Sequence, residues 1–215
     1  MIIYNDILSK ELLESCLSKL NSLVTEKVWG NSSFVWGKDI QDCVEGVVTS
    51  ANFSTEMHDK INAELNPYFS DLGGNYYEDG VKMELNELQY QYLIWNRGSS
   101  ISTHTDKMYI FGATIYLNFK WKPEWGGLFV WQEDLEEPAF DNNRELHALC
   151  PKQNMMVINN RREPHLVTPV SPYATEPRIT IQIWGKHASI CCDPHPLPSQ
   201  WSSDNPRRFP LGDQH

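Results

Sequence analysis

His104-Thr105-Asp106 sets an imidazole and a carboxylate two residues apart, and two residues is the repeat that brings side chains to one face of a β-strand. Either group alone is commonplace. Together they offer a nitrogen and an oxygen donor to a metal, and a second imidazole from a later strand would complete a set of two His and one carboxylate. His147, His165, His187 and His195 follow in the chain. His165 is the best placed, because it opens His165-Leu166-Val167-Thr168-Pro169-Val170 just after the apolar run Met155-Met156-Val157-Ile158. Two imidazoles and one carboxylate on one side of a metal leave positions open, which suits non-haem Fe(II) and oxygen chemistry. Zinc is the competing occupant of the same donors.

Arg178 stands thirteen residues after His165, at the head of Arg178-Ile179-Thr180-Ile181-Gln182-Ile183-Trp184. Strand alternation puts Arg178, Thr180, Gln182 and Trp184 on one face. A guanidinium facing the interior of a β-structure requires an anion to satisfy it. A dicarboxylate would do so: the planar fork grips one carboxylate through two parallel hydrogen bonds, and Thr180 offers a hydroxyl on the same face.

The elements that must position these residues follow a simple order. Ile7, Leu12, Leu13, Cys16, Leu17 and Leu20 form one stripe of an amphipathic helix over Asp6–Leu23. A second helix is expected over Thr55–Phe69, capped by Ser54 or Thr55 and closing near Pro67. From Glu84 onward come short runs of β-branched and aromatic residues: Glu84–Trp95, Thr103–Asp106, Tyr109–Phe119, Gly127–Gln132, Met155–Asn159, His165–Val170 and Arg178–Trp184. Turn signals such as Asn96-Arg97-Gly98 and Pro123-Glu124-Trp125-Gly126 separate them. Helices followed by many short strands predict an antiparallel sandwich or jelly roll buttressed by amino-terminal helices. The reading is one domain over residues 1–186, with a helical part to residue 83 and a β core from 84. Residues 187–215 form an extended or loosely docked tail rich in proline.

Composition narrows the partners. A chain of 215 residues with 8 Trp, 9 Tyr and 8 Phe can bury a sizeable core. Its net charge of −10, with no basic stripe, repels phosphate backbones and argues against nucleic acid. The start, with Asp6, Glu11 and Glu14, is unlike a secretory signal, and no run of eighteen apolar residues would span a membrane. Five cysteines without a disulfide-scaffold spacing predict a reduced, cytoplasmic protein, with Cys191-Cys192 more readily idle thiols than a redox pair. A small-molecule or peptide substrate and a monomer or homodimer are the expected partners.

The ordered motifs resemble the Fe(II)/2-oxoglutarate-dependent oxygenase superfamily, most closely its prolyl 4-hydroxylase-like branch. Trp95 through Asp106 is similar to that branch's segment of an aromatic, two residues, Gly, five residues and His-x-Asp. Ile115-Tyr116-Leu117-Asn118 followed by Trp125-Gly126-Gly127-Leu128 is similar to its paired strands, and His165-Leu166-Val167-Thr168-Pro169-Val170 with Arg178 and Trp184 completes the pattern. The resemblance spans roughly residues 84 to 186 and implies a mainly β fold, a double-stranded β-helix (jelly roll). It implies His104, Asp106 and His165 as iron ligands and catalytic residues. Arg178 would bind the distal carboxylate of 2-oxoglutarate, with Tyr116 donating a phenolic hydrogen bond and Thr180 helping. The implied cofactors are Fe(II), 2-oxoglutarate as cosubstrate, O2, and ascorbate as a reductant. The implied reaction couples oxidative decarboxylation of 2-oxoglutarate to succinate with hydroxylation of a C–H bond in a small molecule or a peptidyl, including prolyl, substrate.

Three departures bear on the substrate. Trp95 stands where the branch usually has Tyr, Arg178 replaces the Lys of prolyl 4-hydroxylases proper, and the His165–Arg178 interval is longer, with Pro172 and Pro177. A halogenase is disfavoured because Asp106 is kept. The other class of reading is a catalytically silent β-helix protein that binds a metal or small ligand as a sensor, which has no need of all four residues. The acidic run Glu133–Glu137 reads as a solvated loop, and most tryptophans as core. Two glycine- and aromatic-rich stretches, Val28–Gly37 and Asp71–Gly80, are candidate lids; Trp95, Tyr76 and Tyr77 are candidate substrate contacts.

Overall fold

The computed structural model describes residues 1–26, 30–31, 42–70, 72, 76–78, 81–83, 85–106, 108–133, 140–141, 143–160 and 163–187. In chain order the elements are β1 (Ile2–Tyr4), α1 (Lys10–Glu26), β2 (Gly30–Asn31), β3 (Val44–Glu45), β4 (Val48–Asn52), α2 (Thr55–Phe69), β5 (Tyr76–Glu78), β6 (Val81–Met83) and β7 (Leu85–Trp95). There follow β8 (Ser100–His104), β9 (Phe111–Tyr116), a 3-10 turn at Pro123–Trp125, β10 (Phe129–Trp131), β11 (His147–Leu149), β12 (Met156–Asn159), β13 (His165–Val167) and β14 (Arg178–His187). A seven-stranded sheet runs β1-β12-β9-β14-β7-β4-β2 and a five-stranded sheet runs β11-β10-β13-β8-β3, with β5 and β6 paired apart. Every strand pair within them is antiparallel, as the jelly-roll expectation requires.

The period of two sorts the large sheet into two faces. Tyr90, Tyr92, Ala113, Ile115, Met156, Ile158, Ile181 and Ile183 face the helices, where Leu12, Cys16 and Leu20 of α1 and Met57, Ile61, Leu65 and Phe69 of α2 join them in one core. The alternate residues Leu93, Trp95, Tyr116 and Val157 belong to a second core with Ile101, Phe129 and Val167 of the small sheet. The helices therefore back the large sheet, and the space between the sheets is left for the site.

Both helices form where expected, with shifted ends. α1 starts at Lys10 and not at Asp6, because Ser9 is its cap: the Ser9 hydroxyl accepts from Leu12 N at 3.2 Å, while Ser9 N–H and Oγ donate to Glu64 at 2.7 and 2.6 Å. Asp6 adopts a left-handed φ of 53°, and Ile7 and Leu8 enter the core as a non-helical lead whose N–H groups are taken by Asn154. α2 is capped by Ser54, which accepts from Met57 N, and it runs through Pro67 to the fully buried Phe69. No described helix is long and apolar enough to cross a membrane. Val28–Gly37 lies almost wholly outside the described residues, as does the acidic run Glu133–Glu137 beyond its first residue. The proline-rich tail after His187 lies outside them altogether.

Candidate active site

His104 closes β8 and His165 opens β13, and the two are direct partners across the antiparallel pair. Their rings lie with centroids 4.2 Å apart, and Phe129 stacks on His165 at 5.2 Å. Asp106 is two residues beyond the end of β8, so ladder alternation does not aim it as the sequence pattern expected. Its carboxylate nonetheless reaches both rings, with Oδ1 3.9 Å from His104 Nε2 and Oδ2 3.6 Å from His165 Nε2. One ligand atom from each of the three residues falls within 4.8 Å of the others, and all three side chains are buried.

The far side of each ring is held by the backbone. His104 Nδ1 is 2.9 Å from the Ser102 carbonyl, and His165 Nδ1 is 2.9 Å from the Glu163 carbonyl. Placing the proton on Nδ1 leaves the Nε2 lone pair of both rings pointing toward Asp106, the tautomer a metal requires. Asn159 holds the turn that presents the second carbonyl: its amide donates to the Glu163 carbonyl at 2.9 Å and its oxygen accepts from Glu163 N at 3.0 Å. Burial first, then the neighbouring His165, pushes the His104 pKa down to about 4, which keeps the ring neutral near pH 7.

Arg178 begins β14, opposite Trp95 of β7, and is 1 % exposed. Its guanidinium carbon sits 5.0 Å from the Trp95 ring and 5.1 Å from the Tyr116 ring. Gly127 makes room for it, since a Cβ there would come within 2.8 Å of Arg178 Cδ. Arg178 Nε and Nη1 and the Tyr116 hydroxyl are buried without a hydrogen-bond partner among the described residues. Such orphans are rare in a folded interior unless a ligand satisfies them. Burial holds the Tyr116 pKa above its ordinary value, so its hydroxyl remains a donor. A carboxylate placed here would meet a cation and a phenol together.

One cavity joins the two clusters. It encloses about 620 Å³, part of it open to solvent, and its lining includes His104, Asp106, His165, Arg178, Trp95 and Gln182. Tyr116 and Thr180 are fully buried but are not on this lining; the Thr180 hydroxyl accepts from Trp95 Nε1 at 3.3 Å. Trp95 thus belongs to the guanidinium end of the cavity. Tyr76 and Tyr77 are in β5, but their side chains lie outside the described residues, as does most of Asp71–Gly80. Sequence reasoning missed Asn159, Thr114, Gly112 and Tyr109. A lone polar residue ending the apolar β12 and a glycine inside β9 were the available signals.

The 2OG-Fe(II) oxygenase superfamily model matches residues 89–186, the stretch that carries every residue of both clusters. Over this stretch the chain is similar to that superfamily. The match and the fold together make it an Fe(II)- and 2-oxoglutarate-dependent oxygenase. Its fold is similar to a Pseudomonas putida prolyl-4-hydroxylase, with a TM-score of 0.59 and 15% identity over 87% of this chain and 92% of that one. A prolyl hydroxylase from Trichoplax adhaerens, solved with a hypoxia inducible factor oxygen degradation domain peptide fragment, gives 0.63 and 16% over 86% and 82%. HygX from Streptomyces hygroscopicus, solved with nickel, 2-oxoglutarate and hygromycin B, gives 0.57 and 12% over 86% and 82%. No curated protein matches the chain by sequence. The oxygenase's mainly β jelly roll is the architecture its motifs implied.

Proposed function

We propose that His104, Asp106 and His165 hold the Fe(II) and that Arg178, with Tyr116, grips the distal carboxylate of 2-oxoglutarate, so that the oxygenase hydroxylates a C–H bond of a small molecule or a peptidyl side chain. The observation that carries this reading is that buried Arg178 Nε and Nη1, without a hydrogen-bond partner among the described residues, lie on the same cavity as the three converging donor atoms. The donors suit the metal: two imidazoles and one carboxylate would leave positions open for the oxoacid and oxygen. The orphaned guanidinium and phenol suit the cosubstrate.

Bound iron supplies the oxidising power that decarboxylates 2-oxoglutarate and functionalises the substrate. The chain's residues do the rest. Ser102 and Glu163 carbonyls accept from Nδ1 of the two rings, which leaves Nε2 of each to face the metal. Trp95 and Tyr116 flank the guanidinium and fix its plane, while the Trp95 indole N–H is turned away to Thr180. Leu93, Ile101, Val157 and Val167 line the same cavity and give it apolar walls that exclude water. Tyr109 and Trp184 stack with centroids 5.7 Å apart on the lining, a wall fitted to an apolar or ring-bearing group. A peptide fragment and hygromycin B in the similar structures are consistent with substrates of either size.

Succinate release from 2-oxoglutarate, screened against prolyl peptides, free amino acids and cyclic or indolic metabolites, tests the proposal. We expect Fe(II)-dependent succinate that a true substrate stimulates. Tight metal and 2-oxoglutarate binding with no succinate above background for any compound would leave a sensor, not a hydroxylase.

A further inference from the structure

Asp106 presents a problem of mechanics. It is past the end of β8, and among the described residues no donor is within hydrogen-bond distance of its carboxylate: His104 Nε2 and His165 Nε2 stand 3.9 and 3.6 Å away, and its carbonyl accepts from Tyr109 N at 3.0 Å. The two histidines, by contrast, are anchored by ladder pairing and by carbonyls behind their rings. A carboxylate on a short, unlatched side chain must be located by the shape of what surrounds it.

Gly112 provides that shape. It lies in β9, between Asn159 of β12 and Trp184 of β14, on the cavity lining. A Cβ built on Gly112 would overlap Asp106 Oδ2 and come within 3.3 Å of its Cγ, with Gln182 Nε2 3.9 Å from the same point. Its φ is outside the left-handed region, so the backbone would accept any side chain. Glycine in a strand forfeits packing and conformational restriction, and β9 is otherwise buried throughout. The space at its Cα is filled by the carboxylate. Gln182 closes the same corner: Thr114 donates to its Oε1 at 2.7 Å, which turns the amide nitrogen toward the Gly112 side.

We propose that Gly112 is a positioning residue that seats the carboxylate arm of the metal set. This rests on the reading of His104, Asp106 and His165 as the metal ligands. The test uses the full chain in five forms: wild type, Gly112→Ala, Asp106→Ala, the double variant, and Gly185→Ala. Gly185→Ala is a crowding control, since a Cβ there meets Phe111 and Leu85, away from the ligands. Each form is titrated anaerobically with Co(II) and melted without metal. Gly112→Ala should weaken Co(II) binding about 10–100-fold and alter the Co(II) d–d spectrum, as losing a ligand's support does. It should also lower the apo Tm, and that loss should vanish on the Asp106→Ala background, where the added methyl has room. Gly185→Ala should lower Tm and leave Co(II) affinity unchanged. Gly112→Ala with wild-type affinity and spectrum, or with a Tm loss that persists undiminished in the double variant, would overturn the proposal. Should the single variant fail to fold, a folded double variant with the Tm of Asp106→Ala supports the seat, and an unfolded one overturns it. A wild type that binds no Co(II) would instead sink the metal reading itself.

Discussion

Replacing Arg178 with Met separates a functional guanidinium from a structural one. Without ligand, the buried charge has two nitrogens orphaned among the described residues, with the Trp95 and Tyr116 rings beside it. The rings return about 0.5–2 kcal/mol each, against a desolvation cost whose relief by a well-packed apolar residue is about 1–4 kcal/mol. These nearly cancel, so the apo stability of Arg178→Met should stay within about 2 kcal/mol of wild type. Ligand binding should change far more. Losing a charge-assisted pair in a desolvated pocket costs about 2–5 kcal/mol, which is about 30-fold to several thousandfold in Kd. With Ni(II) in place of iron, 2-oxoglutarate at a hundred times the wild-type Kd should stabilise the native chain by about 2.7 kcal/mol. The same concentration should stabilise the variant by about 0.9 kcal/mol or less. Chemical denaturation with and without the cosubstrate, alongside the KM for 2-oxoglutarate, reads both quantities. An unchanged cosubstrate effect, or an apo variant that loses more than about 4 kcal/mol, would refute the assignment of Arg178 to a ligand.

Trp95→Phe keeps a ring against the guanidinium but strands the fully buried Thr180 hydroxyl. It should cost about 1–3 kcal/mol in urea unfolding while moving the KM for 2-oxoglutarate less than about tenfold; the reverse pattern would make Trp95 a direct ligand contact. Asn159→Ala removes the brace of the Glu163 turn behind His165, and should weaken Co(II) binding about 10–100-fold with the fold intact; unchanged affinity would make Asn159 merely structural. Burial pushes the Cys16 thiol up to about 11, so at pH 8 roughly one molecule in a thousand carries the reactive thiolate. Iodoacetamide should leave Cys16 untouched in the native chain and label it in urea, and rapid native labelling would contradict its place in the core.

The parts legible in the sequence were those where a strand's period of two does the positioning. His104 and His165 share a cross-strand pair, and Arg178, Gln182 and Trp184 line the cavity, because alternation along β8, β13 and β14 leaves no other choice. Asp106 reached the site for another reason, since the chain has left the ladder there and the bare Cα of Gly112 receives it. β1 and β4 went unseen: three residues are too few to display a period, and Val48-Thr49-Ser50-Ala51-Asn52 carries little of the bulk that marks a strand. Their places come from pairing with β12 and β7, partners far along the chain. Thr180 was expected to help the cosubstrate; its hydroxyl also accepts from Trp95, a residue eighty-five positions away, which no local pattern announces. Asn159 was equally hidden, since its work depends on the loop that returns Glu163 to it.

An anaerobic absorption titration of the oxygenase with Fe(II) and 2-oxoglutarate tests the central claim most directly, because the visible charge-transfer band appears only when the oxoacid chelates a protein-bound iron. Wild type should develop the band at one equivalent of each, His165→Ala and Asp106→Ala should lose it, and Arg178→Met should need far more 2-oxoglutarate to reach it. A wild type without the band, or a His165→Ala variant that keeps it in full, would contradict the account.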